Sequence, residues 1–346
     1  MADRTGSART ELSERNAAEL LAGLGVLPRD AEVAITALAG GVANCVLAVG
    51  WPGGEVVVKQ ALPNLRVAAD WPFDPARTDI ERECLSYLGE ILPAGSVPEV
   101  VAFDADHDLL VITRAPAGGT VWKQALLAGE VDPAVGAEVG ELVGLLHRTS
   151  ARDPIARERF AAQWPLIQGR TDPFHRTIAA MHPALRPAIL AEVERLEATR
   201  EALVLGDCSP KNVIAYPSRS PLLLDFEVAH LGDPAFDVAY MLTHLSLKAR
   251  HRPDDAPALR ACAAEFHAAH TRAAADAAPE PAAVVAELGC LLLSRIDGKS
   301  PVEYLDGSDG EAVRAAAATL LLEPPGSVDD ALELAFTQLV GTGEAP

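Results

Sequence analysis

One segment constrains this chain more than any other, because three side chains that carry oxygen atoms occur in it between short apolar runs. In LVLGDCSPKNVIAYPSRSPLLLDFE, Asn212 follows Asp207 by five positions, and Asp225 comes at the end of the last apolar run. The runs LVLGD, NVIAY and PLLLD are β-rich and separated by turn-forming residues, so we predict short strands. A loop then places Asp207 and Asn212 side by side, and the last two strands return the chain so that Asp225 faces them.

The order and type of these residues are typical of phosphoryl transfer. That reaction uses an aspartate that accepts or orients the incoming hydroxyl, and oxygen ligands that hold magnesium against the phosphates of a nucleotide. Protein kinases use D-x-x-x-x-N followed by a further aspartate. Asp207 is therefore the candidate catalytic residue, and Asn212 and Asp225 are the candidate Mg2+ ligands. Lys211 could neutralise charge on the transferring phosphoryl group, or it could simply be solvated.

The rest of the sequence predicts an α+β protein in two lobes. VANCVLAVGW and EVVVKQA, joined by a Pro-Gly-Gly turn, predict an antiparallel hairpin, and PEVVAFD with DLLVITR predicts a second one. The helix DIERECLSYLGEIL lies between them. Helical patterns prevail after Val121, beginning with GAEVGELVGLLHRTS. We predict a small β-rich lobe over residues 1–116 and a larger, mostly helical lobe over residues 117–346.

Composition excludes several classes of partner. The net charge is −20, which repels nucleic acid and anionic membranes. No apolar run approaches the length of a membrane span, and the first residues lack the apolar stretch of a signal peptide, so we expect a cytoplasmic protein. The five cysteines are scattered and never in CxxC spacing, which indicates neither a disulfide framework nor a zinc site.

Taken together, these segments resemble the aminoglycoside phosphotransferase and methylthioribose kinase family over most of the chain. The resemblance implies a protein-kinase-like fold that binds ATP and Mg2+ between its lobes. It also implies phosphorylation of a hydroxyl on a small sugar-like or aminoglycoside-like molecule, the latter being a reaction of antibiotic resistance. A hairpin that carries Asp225 back to Asp207 and Asn212 is part of this expected fold.

The resemblance extends to the nucleotide side of the site. GGVANCV looks like the loop that covers the phosphates, and VVVKQALPNLR resembles the methylthioribose kinase strand that bears the nucleotide lysine. The helix DIERECLSYL resembles the segment whose glutamate pairs with that lysine. Glu83 fits that glutamate best, with Glu81 as the alternative. The nucleotide-binding residues expected from the resemblance are Gly40, Gly41, Asn44, Lys59 and Glu83.

The chain also matches and departs from the family near the catalytic loop. EVAHLGDPAFDVAYMLTHL looks like the family segment in which an aspartate braces the loop, and Asp237 occupies that place. The family commonly has histidine two residues before the catalytic aspartate, whereas this chain has Leu205, so its loop must be braced differently. Asp225 is followed by Phe226 and Glu227 rather than by Phe-Gly, which makes Glu227 a candidate ligand or substrate contact.

The acceptor is left open by the sequence. SRIDGKSPVEYL interrupts the alanine-rich helical part, and its Arg295, Asp297 and Lys299 could line an acceptor pocket or lie in a plain interhelical loop. The KQALP segment favours a methylthioribose-like sugar, whereas the acidic composition suits a cationic antibiotic. A third alternative is a nucleotide-binding pseudokinase without turnover, because Leu205 replaces the usual histidine.

Overall fold

The computed structural model describes residues 9–38, 43–66, 69–306 and 309–341, so Gly40 and Gly41 lie outside the described residues. Its first part contains a five-stranded antiparallel sheet with the strand order β1-β2-β3-β5-β4. Both predicted hairpins are confirmed. The strands are β1 Ala34–Ala37, β2 Asn44–Trp51, β3 Gly54–Ala61, β4 Val100–Asp104 and β5 Leu109–Thr113.

The two faces of this sheet pack against different helices because successive side chains of a strand alternate. Val56 and Val58 pack in a small core with residues of helix α1 (Ala17–Gly23). Val57 between them joins the main core, together with residues of helix α2 (Arg77–Ile91). The sheet is thus covered on both sides, which fixes β3 and places the end of β3 near α2.

Helices make up most of the remaining chain, as the sequence predicts, and this confirms the α+β class. A ten-residue π-helix, Ile167–Arg176, lies among them, and the sequence patterns did not indicate it. The helices are α3 Trp122–Ala128, α4 Pro133–Ala151, α5 Pro154–Arg159, α6 Trp164–Leu166, α7 Thr177–Met181, α8 Arg186–Ala198, α9 Ala235–His251, α10 Ala256–Ala274, α11 Pro281–Asp297, α12 Asp309–Leu322 and α13 Val328–Val340.

Two short sheets frame the loops of the predicted site. β6 (Thr120–Val121), β8 (Val213–Ala215) and β9 (Leu222–Leu223) form one, and β7 (Ala202–Val204) pairs with β10 (His230–Gly232) in the other. The three strands predicted around Asp207 and Asp225 are therefore present. They are shorter than the apolar runs that predicted them.

Helices α4 and α10 approach each other closely because three glycines of α4 face the backbone of α10. A Cβ atom at position 136, 140 or 144 would overlap backbone atoms of Cys262, Phe266 or His270, respectively. This close packing puts His270 within reach of α4. None of the helices in the described ranges is long and apolar enough to cross a membrane. The boundary at residue 116, between β5 and α3, stays a prediction.

Candidate active site

Lys59 is the point where the sheet, helix α2 and the Asp225 loop meet. Its Nζ lies 2.7 Å from Oε1 of Glu81 and 2.9 Å from Oδ1 of Asp225. The side chain is 9% exposed. Lys59 lies two residues before the end of β3 at Ala61, and Glu81 reaches it from α2. The structure therefore joins the predicted nucleotide lysine to a predicted metal ligand.

The prediction that Glu83 pairs with Lys59 is wrong, and Glu81 forms the pair. Two positions along a helix correspond to a rotation of about 200°, so the two side chains point to nearly opposite sides of α2. Glu83 pairs with Arg82 at 2.5 Å and lies 3.6 Å from Arg159. Glu81 is only 2% exposed. The acidic residue on the buried face is the partner of the buried lysine.

Burial and ion pairing act in opposite directions on the Lys59 and Asp225 pair. Burial lowers the pKa of Lys59, but the Asp225 and Glu81 carboxylates outweigh it and raise that pKa above its ordinary value. Burial raises the pKa of Asp225, but Lys59 and Lys211 outweigh it and hold that pKa at about 2. Both groups are therefore charged at neutral pH, as a phosphate contact and a metal ligand require.

Asp225 and Asn212 are brought together by the turn between β8 and β9. The backbone N–H of Leu224 donates to the carbonyl of Asn212 at 2.8 Å, so the next residue lies beside Asn212. Asp225 has φ of 67°, a conformation that is uncommon outside glycine and recurs at functional sites. The side-chain amide of Asn212 donates to the Asp207 carbonyl at 3.0 Å.

The donor set fits a hard divalent cation such as Mg2+. Carboxylate oxygens of Glu81, Asp225 and Glu227 lie within 4.8 Å of one another. The Asn212 Nδ2 is used within the loop, which leaves its amide oxygen as the ligand atom. Mg2+ is held in proteins by one or two such oxygen ligands together with phosphate oxygens and water. Asn212 and Asp225 would hold the ion.

Asp207 is buried between two cations. Its Oδ2 lies 2.9 Å from Nζ of Lys211 and 3.3 Å from Nη2 of Arg170. Its Oδ1 is buried and accepts no hydrogen bond from the described residues. Burial raises the pKa of this carboxyl, but Lys211 and Arg170 outweigh it, so the pKa is below its ordinary value. The unpaired oxygen of an ionised carboxylate can accept a hydrogen bond from a hydroxyl.

Asp237 braces the loop that precedes Asp207. Its carboxylate accepts hydrogen bonds from the backbone N–H groups of Leu205 at 2.7 Å and Gly206 at 2.8 Å. His147 of α4 lies 3.3 Å from the same carboxylate and contacts His270 of α10 at 2.9 Å. Where the family commonly has a histidine, this chain thus holds the loop through backbone groups. The structure gives Asp237 the bracing contacts that the resemblance implies.

Glu227 joins the nucleotide-side loop to helix α2. Its Oε2 accepts hydrogen bonds from Nδ2 of Asn44 at 2.9 Å and from Nε of Arg77 at 3.0 Å. Arg77 is fully buried and also donates to the carbonyls of Ala43, at 2.6 Å, and Leu62, at 2.8 Å. Asn44 and Glu227 therefore fix the start of β2, which lies in the second half of the predicted phosphate loop GGVANCV. The proposed contacts of Asn44 with the nucleotide and of Glu227 with metal or substrate stay predictions.

The three residues predicted for the acceptor pocket separate in the structure. The guanidinium groups of Arg295 and Arg170 contact the same Phe174 ring, with centroid distances of 5.6 and 5.2 Å, and Arg170 is in turn a partner of Asp207. Asp297 instead pairs with Arg314 at 2.6 Å and His182 at 2.8 Å. Lys299 donates to the carbonyl of Asp70 at 2.8 Å. The contacts of Asp297 and Lys299 support the interhelical-loop interpretation for those two residues.

Three residues of this site were missed by the sequence analysis. Arg170 lies in the π-helix, where no pattern pointed to Asp207, and its Nε also donates to the Gly206 carbonyl at 2.5 Å. Arg77 precedes the predicted start of helix α2. His147 was identified only as the end of an apolar stripe. A histidine that follows apolar packing residues carries no signal in a single sequence, because its partner Asp237 lies 90 positions away.

Comparisons with known proteins agree with this geometry. The family model described as "Phosphotransferase enzyme family" matches residues 34–261. A methylthioribose kinase of Bacillus cereus is 25% identical over 270 residues, which cover 70% of this chain and 68% of that protein. A methylthioribose kinase of Bacillus thuringiensis matches with the same identity and coverage. The predicted family resemblance is confirmed.

Solved structures share the fold. A protein of Ralstonia eutropha described as a candidate aminoglycoside phosphotransferase is 14% identical with a TM-score of 0.51, and the match covers 95% of this chain and 96% of that one. The complex of APH(2")-IIia with GDP and kanamycin is 14% identical with a TM-score of 0.50, covering 92% and 98%. The predicted kinase-like fold, with a β-rich part and a larger helical part, is confirmed.

Proposed function

The chain belongs to the phosphotransferase enzyme family, and from this premise we propose that it transfers the terminal phosphoryl group of ATP to a hydroxyl of a small molecule. The observation that carries the proposal is the convergence of Asp207 and Asn212 of one loop with Asp225 and Lys59, from three separate stretches of chain. Methylthioribose-like sugars and aminoglycosides are the acceptor classes that the relatives' names suggest. ATP is a cytoplasmic nucleotide, so we propose that compartment as the place of action.

Asp207 is proposed to orient the acceptor hydroxyl. Its pKa lies below the ordinary value, so at neutral pH the free Oδ1 accepts a hydrogen bond and aims the hydroxyl oxygen at the phosphorus atom. Positioning of this kind is the main contribution of a protein to phosphoryl transfer. Lys211, whose Nζ lies 2.9 Å from Oδ2 of Asp207, is proposed to neutralise negative charge on the transferring phosphoryl group.

Lys59 is proposed to hold the nucleotide phosphates. Glu81 and Asp225 position its ammonium at 2.7 and 2.9 Å, which leaves the third N–H direction for a phosphate oxygen. Magnesium, held by Asn212 and Asp225, would neutralise the phosphate charge. Asn44 and the glycines that precede it are proposed to close over the phosphates.

Acceptor-dependent release of ADP tests this function, with paired variants of helix α2. The wild-type protein with ATP and Mg2+ should release ADP faster when a hydroxylated acceptor from a panel of sugars and aminoglycosides is added. Glu81→Gln should raise the KM for ATP about tenfold or more, because the variant removes a charged partner of a buried lysine. Glu83→Gln is the matched control and should change that KM less than about twofold.

Two results would contradict the proposal in different ways. Magnesium-dependent binding of ATP without turnover on any acceptor would indicate a pseudokinase. An equal effect of Glu81→Gln and Glu83→Gln on the KM for ATP would show that the Lys59 pair does not hold the nucleotide.

A further inference from the structure

A group of basic and aromatic side chains is connected to Asp207 through Arg170, and apart from Arg170 it is not used by the chemistry described above. We call it the acceptor-side cluster, and it consists of Arg170, Tyr240, His244, Lys248, Arg295 and Tyr304. Arg170 connects it to Asp207 at 3.3 Å and lies over the ring of Tyr240 at 5.6 Å. The ring of His244 meets that of Tyr240 edge-on at 4.8 Å. The π-helix, α9 and α11 all contribute to it.

Two cations of the cluster are buried without an anionic partner. Lys248 is fully buried, and among the described residues its Nζ contacts the His244 carbonyl, at 3.3 Å, and the face of the Tyr304 ring, at 5.2 Å. Arg295 is 9% exposed, and its side chain donates no hydrogen bond to a described residue. Within the part of the chain that the structure describes, neither has a carboxylate within 4.0 Å.

The carboxylates nearest to the cluster are already paired. Asp207 has both Arg170 and Lys211 as partners. Glu303 is paired with Lys123. The Nζ of Lys123 also lies 5.8 Å from the centroid of the Tyr304 ring. The basic side chains here therefore outnumber the described carboxylates that are free to pair with them, although the whole chain carries a net charge of −20. A local reversal of sign at a binding site concentrates ligands of the opposite charge.

The cluster also contains buried polar atoms that have no hydrogen-bond partner in the described ranges of the chain. They are Nε of Arg295, Nε2 of His244 and the hydroxyl of Tyr304. Buried polar groups are normally hydrogen-bonded, and leaving several of them unpaired costs stability. Burial lowers the pKa of Lys248 most, the positive charge of the nearby Lys123 lowers it further, and the pKa is about 7. Such an arrangement is destabilising in the free protein and would be relieved by an anion that accepts hydrogen bonds.

We propose that the acceptor is an anionic hydroxyl compound whose carboxylate or phosphate group is bound by Lys248 and Arg295. This inference rests on the proposed kinase function and names its substrate class. The position of the cluster supports the choice, because Arg170 connects it to Asp207, the residue proposed to orient the acceptor hydroxyl. It disfavours cationic aminoglycosides, whose ammonium groups would face Lys248, Arg295 and Arg170.

Matched acceptors that differ in charge test the inference. Glycerate, glycerol and serinol form one set, and gluconate, sorbitol and glucosamine form a second, with glycerol 3-phosphate as the phosphate-bearing probe. We expect kcat/KM from ADP release to be at least about tenfold higher for the anionic members. Glycerol 3-phosphate against glycerate shows which oxyanion is preferred.

Lys248→Met shows whether the cluster causes this preference. The variant should lose about tenfold or more in kcat/KM for the anionic acceptor, because an ion pair is lost. Arg272→Gln, which removes a cation from the exposed surface of α10, is the control and should change it less than about twofold. The variant should fold, because methionine replaces a buried ammonium by an apolar group of similar length.

Each outcome is decisive for one of the two proposals. Higher kcat/KM with the neutral or cationic members would overturn the charge inference and leave the kinase function intact. If no probe releases ADP, thermal unfolding with the same probes decides. A rise in Tm with the anionic probes in the wild type but not in Lys248→Met supports the inference, and the absence of such a rise overturns it. Failure to bind ATP with Mg2+ would instead contradict the kinase function.

Discussion

Asp207→Asn should lower kcat by about 10³-fold while the protein continues to bind ATP with Mg2+. The free Oδ1 of Asp207 is the proposed acceptor of the hydrogen bond from the hydroxyl, and removal of such a group costs about 10² to 10⁴ in rate. The amide has the same shape but is neutral, and one of its two ends is a donor. Lys59, Asn212 and Asp225 are the residues proposed to bind the nucleotide and its magnesium, and the substitution leaves them unchanged.

The measurement is steady-state ADP release together with titration of ATP binding by calorimetry. Asp172→Asn is a matched control, because Asp172 is exposed on the π-helix and its carboxylate pairs with Arg176, which is also exposed, at 2.8 Å. It should retain kcat within about twofold. A kcat of Asp207→Asn within tenfold of the wild type would show that Asp207 does not orient the hydroxyl.

Asp237→Ala is expected to have the largest effect on stability, lowering the free energy of unfolding by about 3 to 5 kcal/mol. The side chain is fully buried and accepts two backbone N–H groups at 2.7 and 2.8 Å. Alanine leaves both donors unpaired in an apolar surrounding and also removes the partner of His147. The loop that carries Asp207 should lose its position, so kcat should fall as well.

Urea unfolding and ADP release at a temperature where the variant remains folded measure these two effects. Asp172→Ala is the control on an exposed carboxylate and should change stability by less than about 0.5 kcal/mol. A variant of Asp237 with unchanged stability, or with full kcat, would contradict the bracing role derived from these hydrogen bonds.

The sequence predicts the elements of the catalytic side well because their signals are local. The hairpin strands around Lys59 alternate, and the runs around Asp207 and Asp225 are bounded by turns. These signals, with the family resemblance, also identify Asp237. The structure places Lys59 against Asp225 at 2.9 Å, a distance between residues 166 positions apart that no local pattern contains.

Other features depend on contacts that only the folded chain creates. The choice between Glu81 and Glu83 depends on which face of α2 is buried, and both residues fit the motif. In the sequence, the glycines of α4 are simply part of an apolar stripe. Only the packing of α10 against them shows that a larger side chain at these positions would overlap the α10 backbone. Arg170 reaches Asp207 from the π-helix, where neither residue type nor spacing indicated a role.

A crystal structure with Mg2+ and a non-hydrolysable ATP analogue tests the central claim most directly. The account predicts one Mg2+ bound by the Asn212 amide oxygen and the Asp225 carboxylate at about 2.1 Å. It also predicts Nζ of Lys59 within hydrogen-bonding distance of a phosphate oxygen, and Oδ1 of Asp207 facing the terminal phosphate. A nucleotide bound elsewhere, or a metal held without Asn212 and Asp225, would contradict it.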